Sequence, residues 1–431
     1  KKCHEGLYLI MRKSVKVRII IFNILNEIHQ KNKNFDDSFI YNTQNLKLND
    51  QDRSMIYNIV LNSIRNYFFI NEILNKFLKK KTGLKMRILL LSAITQILYL
   101  DFKDYAVTND SVEIAKIKKM YPGLINSLLK NIIKNKETIN KKKFSQSSVP
   151  SWFVRALKKN GLNLRKIIEN INSEPSLHLV FKNKDLLKIF DEDYDETTDL
   201  SAFIANKKKI KNLVNYEKGH WWVQDLSSML PIYLSPEVQS KKVLDMCAAP
   251  GGKAFQTLCL NNNVTLNDMS LKRSNTLRIN LDRLNFNTKI KNYNALNMPE
   301  EETFDVIILD SPCSGVGTLR RNPEILFKKK PPNLTLLTKI QRNLINKAAK
   351  LLNKNGLLIY MVCSFFYDET KGIKNTFLNE NKNFSQYKFN LTLGNKFKDF
   401  LDDDGDIFCI PSEYKGYMVD GFYSVKFIKN D

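Results

Sequence analysis

Two short strings of the sequence place cysteine thiols beside other polar side chains. The string that begins Asp310-Ser-Pro-Cys313 combines a carboxylate with a thiol, and Arg320-Arg321 follow it. A carboxylate can hydrogen-bond the edge of a nucleobase, and arginines can hold phosphates. A second thiol, Cys363, ends an apolar run and precedes a serine. A lone cysteine there is more often a small buried apolar residue, but beside the other strings we interpret Cys363 as part of the same site.

A third string, Asp-Met-Cys-Ala-Ala-Pro-Gly-Gly-Lys over residues 245–253, has the features of a ligand-binding turn. Gly251 and Gly252 let the backbone approach a ligand closely, and the helix that follows presents free N–H groups to anionic atoms. The string is not a G-x-x-x-x-G-K-[ST] phosphate loop, because Ala254 follows Lys253, and it lacks the G-x-G spacing of dinucleotide-binding turns. Downstream of it, Asp268 suits the diol of a ribose.

All three strings follow predicted strands. From residue 239 onwards short apolar runs alternate with helical patterns, which predicts a parallel, doubly wound α/β domain of the Rossmann-like class. Ligands bind such sheets at the carboxyl ends of the strands, so Asp310 and Cys363 face one cleft if their strands are neighbours. The predicted strands are 243–246, 264–267, 304–310 and 357–362, with a helix over 334–352 that stops near Gly356 and a terminal antiparallel strand over 422–428.

The N-terminal third is predicted to be all-helical. Apolar residues recur at helical spacing over 17–28, 56–67, 84–100 and 124–133, and Asn109-Asp110 suit the N-cap of a further helix. A Lys-rich junction over 141–150 predicts a domain boundary. We therefore predict three domains: an all-α bundle over 14–136, a small α+β module over 150–220 and the α/β domain over 221–431. Residues 1–10 are expected to be an extension before the bundle.

The charge of the chain favours an anionic partner. Its formal net charge is +24, and residues 1–150 hold 27 Lys and Arg against 12 Asp and Glu. Nucleic acid and an acidic membrane surface both fit, and Lys-rich surfaces throughout a proteome would also raise the charge. Six cysteines without paired spacing indicate a reducing compartment, which predicts a cytoplasmic protein. Because zinc-ligand spacing and long apolar runs are absent from the sequence, we expect no metal and no membrane span.

At the three strings the sequence resembles the RNA 5-methylcytosine methyltransferases of the Fmu/NOL/NSUN family. The likeness covers about residues 150–431 and includes the family's cofactor loop, its Asp-x-Pro-Cys-Ser-Gly-x-Gly motif with Arg-Arg-x-Pro-Glu, and the motif that carries its nucleophile. Gln224-Asp225 and the string Asp420-Gly-Phe-Tyr also fit the family. The helical region resembles the NusB fold. The combination implies small-subunit ribosomal RNA, 16S rRNA, as the substrate.

The resemblance implies an S-adenosylmethionine-dependent enzyme that methylates C5 of a cytosine through a covalent cysteine–C6 intermediate. It makes Cys363 the nucleophile and Cys313 a residue that acts in product release. Asp310 would bond the N3/N4 edge of the base, and Lys253 would orient or protonate it. We expect a monomer, because the extra domains already supply an RNA surface. The implied cofactor residues are Cys247, Ala248, Ala249, Pro250, Gly251, Gly252, Lys253, Asp268, Arg273, Asn294 and Asp310.

Three positions depart from the family pattern, and two other classes of protein stay open. Asn294 replaces the usual acidic residue near the adenine, Val362 the usual threonine before the nucleophile, and Thr370 the usual asparagine after it. A DNA cytosine-5 methyltransferase would use the Pro-Cys thiol, here Cys313, as its nucleophile. The other alternative is a non-catalytic RNA-binding ribosome assembly factor with a vestigial methyltransferase domain, which would bind RNA without transferring a methyl group.

Overall fold

The computed structural model describes residues 11–78, 80, 82–140, 149–205, 209–261, 263–389 and 395–430. The predicted extension 1–10 and most of the predicted Lys-rich junction lie outside these ranges. Within them, no helix has both the length and the apolar character that a membrane crossing requires.

The chain divides into two compact units. The first is Lys1–Asn172 with Asn322–Pro331, and the second is Ser173–Arg321 with Pro332–Asp431. The predicted bounds of three domains stay a prediction, and the units are described separately below.

The first unit is helical, as the periodicity of the sequence predicts. Its core is formed by isoleucine, leucine and valine side chains from successive helices. Four of these helices, Phe35–Thr43, Tyr67–Phe77, Lys136–Asn140 and Glu324–Phe327, are additional to the predicted ones. The helices of this unit are α1 (Lys13–Lys31), α2 (Phe35–Thr43), α3 (Asp50–Arg65), α4 (Tyr67–Phe77), α5 (Leu84–Leu98), α6 (Asp104–Ile117), α7 (Pro122–Lys134), α8 (Lys136–Asn140), α9 (Ser151–Lys159), α10 (Leu164–Asn172) and, from the later segment, α15 (Glu324–Phe327).

The predicted N-cap at Asn109-Asp110 is wrong. Helix α6 begins earlier, at Asp104, so both residues lie inside it. The Asp110 carboxylate is buried and accepts a hydrogen bond from Arg18 Nη1 at 2.9 Å, while Arg18 Nε donates to Gln96 at 2.9 Å. A short acidic side chain suits a cap and a buried ion pair equally well, and only the packed structure separates the two.

The second unit contains a small antiparallel sheet and a large mixed sheet. Its elements are β1 (Leu177–Phe181), α11 (Lys184–Lys188), β2 (Tyr194–Thr198), β3 (Ser201–Ile204), β4 (Trp221–Val223), α12 (Leu226–Tyr233), β5 (Val243–Asp245), α13 (Gly252–Leu260), β6 (Val264–Asn267), α14 (Leu271–Arg283), β7 (Ile290–Lys291), β8 (Phe304–Asp310), α16 (Leu334–Leu351), β9 (Leu352–Val362), α17 (Lys371–Glu380), β10 (Phe384–Tyr387), β11 (Ile407–Cys409), β12 (Ser412–Tyr414), β13 (Tyr417–Val419) and β14 (Phe422–Lys429). In the small sheet the strand order is β2-β3-β1-β4, and in the large one it is β10-β14-β9-β8-β5-β6-β7, with β11 also paired to β14.

The large sheet confirms the predicted Rossmann-like topology. Strands β6, β5, β8 and β9 are parallel neighbours, and the C-terminal strand β14 runs antiparallel to β9. The chain leaves β5 towards β6 on one side and returns to β8 on the other, which opens a crevice at the carboxyl ends of β5 and β8. Strand β9 begins at Leu352, directly after α16, so the helix ends before the predicted stop near Gly356.

Three chain segments cross closely at Gly317. Its N–H donates to the Cys363 carbonyl at 3.0 Å, and its carbonyl accepts from the Gly421 N–H at 2.9 Å. A Cβ atom on Gly317 would lie 1.9 Å from the Gly421 carbonyl oxygen, which is backbone and cannot turn aside. The crossing therefore requires glycine at position 317. It joins the segment after Asp310 to those that contain Cys363 and Gly421.

We predict that Gly317→Ala destabilises the protein. The added methyl group forces the backbones apart, and such overpacking costs about 1–3 kcal/mol. Thermal unfolding monitored by circular dichroism should show a lower Tm. Gly123→Ala is the control, because among the described residues no atom beyond its own helix backbone and chain neighbours lies within 4 Å of its Cβ position. A Gly317→Ala protein with the wild-type Tm would contradict the close crossing.

Candidate active site

The two predicted cysteines follow neighbouring parallel strands. Cys313 comes after β8 and Cys363 after β9, and the strand register pairs Asp310 with Met361. The two Sγ atoms are 3.3 Å apart. The hydrogen bond with Cys363 raises the pKa of the Cys313 thiol well above its usual range, and burial adds to the rise. Cys313 is therefore protonated at neutral pH and can donate a proton to its neighbour.

A lysine–carboxylate pair lies at the same end of the sheet. Lys253 Nζ donates to Asp310 Oδ2 at 2.7 Å and lies 5.0 Å from the centre of the Phe422 ring. Burial disfavours the Lys253 ammonium, but the charge and hydrogen bond of Asp310 outweigh it, so the pKa of Lys253 is raised. The pair offers N–H donors and carboxylate acceptors to the polar edge of a planar ring.

Two adjoining cavities collect the predicted residues. A cavity of about 470 Å³, in the size range of ligand pockets, borders both cysteines. A second, of about 170 Å³, adjoins it. The structure thus brings every predicted catalytic and cofactor residue to one region. The larger cavity is lined by Cys247, Asp268, Arg273, Asn294, Asp310, Cys313 and Cys363, and the smaller one by Cys247, Ala248, Ala249, Pro250, Gly251, Gly252, Lys253 and Asp310.

The turn between β5 and α13 has the conformation that its glycines permit. Gly251 has φ +125°, and a Cβ atom there would lie 2.0 Å from the Phe255 ring. Helix α13 begins at the next residue, Gly252, so its free N–H groups open onto the turn. The turn and the helix N-terminus border the smaller cavity, where the sequence predicts a bound ligand.

Asp268 hydrogen-bonds to the turn between β5 and α13 and also lines the larger cavity. Its carboxylate accepts hydrogen bonds from the N–H groups of Ala249 at 3.2 Å and Ser270 at 2.9 Å. Arg273 contacts both the Ala249 carbonyl and Asp268. Each oxygen of Asp268 keeps a lone pair, which can accept from a ribose hydroxyl.

Asn294 has a local structural partner. Its side-chain oxygen accepts from the Leu296 N–H at 3.2 Å and so caps the short turn Ala295–Asn297. An aspartate, the residue type that the resemblance implies here, could accept the same bond, so the turn is compatible with either residue.

Asp245 is a candidate site residue that the sequence analysis did not select. It is 1% exposed, and no side chain in the described part of the chain hydrogen-bonds to its carboxylate. Burial raises the pKa of Asp245 to about 7, and the nearby charge of Asp310 adds to the rise. A buried carboxylate without an ionic partner is stabilised by a cationic ligand, so the residue suits the ammonium group of a bound molecule. Asp245 is the first residue of the 245–253 string, and this position is the sequence feature that could have identified it as a site residue.

The prediction that both arginines hold phosphates is wrong for Arg320. Its side chain is 1% exposed and pairs with Asp420 at 3.5 Å inside the unit. Arg321 has a side chain that is 37% exposed, pairs with Asp420, and lies 3.7 Å from Asp225. Arg320 therefore stabilises the loop after β8, whereas Arg321 borders the smaller cavity.

The described residues include one group of carboxylates close enough to hold a metal ion, formed by Asp402, Asp404 and Asp406. Lys374 Nζ contacts Asp404 at 3.2 Å and Asp406 at 2.8 Å, and Lys371 pairs with Asp402 at 3.0 Å. The lysines supply positive charge to this group, which is separate from both cavities.

The sheet topology and the turns at its carboxyl edge define an S-adenosylmethionine-dependent methyltransferase, here joined to a helical NusB domain. Residues 231–428 match the family model described as 16S rRNA methyltransferase RsmB/F, and residues 15–134 match that of the NusB family. The catalytic region is therefore similar to the first family, and the helical region to the second. The chain is an rRNA methyltransferase, and the predicted resemblance and fold class are confirmed.

Named relatives agree with this assignment. A Coxiella burnetii protein called "Probable ribosomal RNA small subunit methyltransferase B" is 28% identical over 77% of this chain and 84% of its own length. "Ribosomal RNA small subunit methyltransferase B" of Photorhabdus laumondii is 25% identical over 83% of this chain and 89% of its own. The structure titled "Crystal Structure of PH0851" has a TM-score of 0.69 at 18% identity, covering 97% of this chain and all of that one, and supports the fold alone.

We predict that Asp245→Asn stabilises the free enzyme and weakens its binding of S-adenosylmethionine. The pKa of Asp245 in the folded protein, about 7, lies above its pKa in the unfolded chain. As the pH rises from the unfolded-state pKa towards 7, ionisation of Asp245 therefore lowers the free energy of unfolding. The variant should therefore gain more Tm at pH 8 than at pH 5.5. Calorimetric titration at pH 8 should show weaker cofactor binding, because the ammonium group loses its carboxylate partner.

Asp305→Asn is the matched control for this prediction. Asp305 is also on the large sheet, but hydrogen bonds from the Lys242 backbone and Asn353 lower its pKa. Its removal should reduce stability at pH 8 and leave cofactor binding unchanged. The groups that face Asp245 are Asp310, Lys253 and Asp268. Equal Tm changes for Asp245→Asn at both pH values, or unchanged cofactor affinity, would contradict the role of Asp245.

Proposed function

We propose that the enzyme transfers a methyl group from S-adenosylmethionine to C5 of a cytosine in 16S rRNA. The observation that carries the proposal is the 3.3 Å contact between the thiols of Cys313 and Cys363. The Lys253–Asp310 pair at the same sheet edge supports it, because it provides polar groups for the base. Two thiols in contact suit a reaction in which one bonds to the base and the other assists its release.

Cys363 is the proposed nucleophile. The Cys363 thiol releases its proton to solvent as its sulfur bonds to C6 of the cytosine, and the electrons of the C5–C6 double bond move to C5, which thereby becomes nucleophilic. S-adenosylmethionine supplies the electrophilic methyl group that C5 accepts. Asp310 bonds the N3/N4 edge and stabilises the charge that develops on the ring, while Lys253 holds Asp310 and orients the base.

Cys313 is proposed to act in release. The C5 proton must leave, the C5–C6 double bond must form again, and the bond between C6 and the Cys363 sulfur must break. Solvent takes the C5 proton, the electrons of that C–H bond re-form the C5–C6 double bond and expel the sulfur, and the Cys313 thiol gives its proton to the departing sulfur and regains one from solvent. Its raised pKa supports this order of events, because the proton is still present when the sulfur departs.

The substrate base must leave its stack to reach this edge of the sheet, which costs least in a loop or junction of the rRNA. The basic N-terminal region supports a role in backbone binding. We propose residues 14–136 as the RNA-binding domain, 150–220 as the α+β module and 221–431 as the catalytic domain. We also propose that the enzyme acts in the cytoplasm as a monomer.

The first test is methyl transfer from labelled cofactor to unmodified small-subunit rRNA. Wild type should label a cytosine at C5, which nucleoside mass spectrometry identifies. Cys363→Ala should be inactive, because the C6 adduct cannot form. Cys313→Ala should accumulate a covalent protein–RNA adduct that survives denaturing electrophoresis, because release is blocked.

Cys259→Ala serves as the control, since Cys259 borders neither of the two cavities described above, and it should behave as wild type. Full activity of Cys363→Ala would overturn the nucleophile assignment, and an adduct through Cys313 would favour the mechanism of DNA cytosine-5 methyltransferases. If wild type binds rRNA tightly but never labels it, the assembly-factor alternative replaces the proposal.

A further inference from the structure

Glu369 is a fully buried carboxylate close to both cysteine loops. It lies in the short turn Tyr367–Glu369 after Cys363 and is 0% exposed. Its Oε1 accepts from the Ser314 N–H at 2.8 Å and from Gln341 Nε2 at 3.1 Å. Its Oε2 accepts from the hydroxyl groups of Ser314 and Ser364, the latter at 2.6 Å. Four donors thus converge on one side chain.

The partners of Glu369 are the immediate neighbours of the reactive thiols. Ser314 follows Cys313 in the chain, and Ser364 follows Cys363. One carboxylate therefore joins the loop after β8 to the loop after β9 on the carboxyl side of each cysteine. The two serine hydroxyls are themselves 3.4 Å apart.

Gln341 extends the same contact to the residue before Cys313. From helix α16 its Nε2 donates to the Pro312 carbonyl at 3.0 Å as well as to Glu369. The backbone on both sides of Cys313 is thus held by one hydrogen-bonded group. A thiol so fixed cannot move away from its neighbour without breaking several buried hydrogen bonds.

We propose that Glu369 is a positioning residue that holds the thiols of Cys313 and Cys363 in contact, so that the first can act on the covalent adduct of the second. The inference rests on the proposed function for its catalytic consequence, whereas the thiol contact itself can be tested without RNA. The hydrogen bond with Cys363 and burial are the larger causes of the raised pKa of Cys313, and the negative charge of Glu369 raises it further. Glu369 therefore also favours the protonated thiol that release requires.

A purely structural role for Glu369 is the competing explanation, and Asp406 provides a matched control. Asp406 is also a buried carboxylate of the second unit, 1% exposed, and accepts from Lys374, Gln386 and Tyr423, each at 2.8 Å. It has no such bond to either cysteine loop. Asp406→Asn should therefore reproduce the general cost of disturbing a buried carboxylate without changing the thiol contact.

The test uses phenylarsine oxide, which bridges two adjacent thiols. Its arsenic forms two As–S bonds, its oxygen leaves as water with the two thiol protons, and no electrons are exchanged. Wild type and Asp406→Asn should bind one equivalent rapidly, with the peptides of Cys313 and Cys363 joined in mass spectrometry. Glu369→Ala should bind much more slowly, and Cys313→Ala should not form the bridge.

Methyl transfer under single-turnover conditions gives the second readout. A misplacement near 1 Å costs on the order of 100-fold in rate, so Glu369→Ala should lose about that factor with an unchanged KM for the cofactor. Glu369→Gln keeps the size and one acceptor, and the serine hydroxyls can turn to accept from its NH2 group. It should recover part of both readouts, and it also serves if the alanine variant fails to fold.

Wild-type arsenical binding by both Glu369 variants would overturn the proposal. Equal losses in Glu369→Ala and Asp406→Asn, with equal falls in Tm, would also overturn it, since the effect would then be structural. If arsenical binding depends on Glu369 while no protein, wild type included, transfers a methyl group to rRNA, the positioning role stands and the proposed function fails.

Discussion

The parallel pairing of β8 with β9 is the constraint on which the site depends. Because the strands are in register at Asp310 and Met361, the loops that follow them leave the sheet side by side. Thiols that are 50 residues apart in the chain thereby come within 3.3 Å. The crossing at Gly317 then fixes the loop after β8 against Cys363 and the Gly421 segment. Backbone hydrogen bonds, which every residue except proline can donate, thus set the coarse geometry, and side chains such as Glu369 refine it.

The strand pattern and the three strings predicted the Rossmann-like sheet and the residues at its edge, because apolar strands and reactive strings are local in the sequence. The residues that sequence analysis misjudged are polar groups whose role depends on distant partners. Asp110 was interpreted as a cap but lies in an ion pair with Arg18, and Arg320 was interpreted as a phosphate ligand but is buried against Asp420. Their residue types permit either role, and burial decides between them.

Asp245 and Glu369 show how burial separates two functions of the same chemical group. Glu369 is buried with four donors, so its charge is satisfied within the protein and can hold loops together. Asp245 is buried with no side-chain donor among the described residues, and burial raises its pKa to about 7. The first arrangement stabilises the fold, whereas the second weakens it and is offset when a cation binds. Sequence alone shows two acidic residues and no difference between them.

The charge of the cavity walls bears on how the enzyme distinguishes cofactor from product. Four carboxylates and three cations line the two cavities: Asp225, Asp245, Asp268 and Asp310, and Lys253, Arg273 and Arg321. S-adenosylmethionine carries a sulfonium charge that its demethylated product lacks, and both carry an ammonium group. When Asp245 is ionised the carboxylates exceed the cations by one charge, so we expect the lining to favour the methyl donor over the product, because Coulomb attraction in a partly buried site is weakly screened. Asn294 adds no charge to this lining, whereas the acidic residue that the resemblance implies at its position would add one.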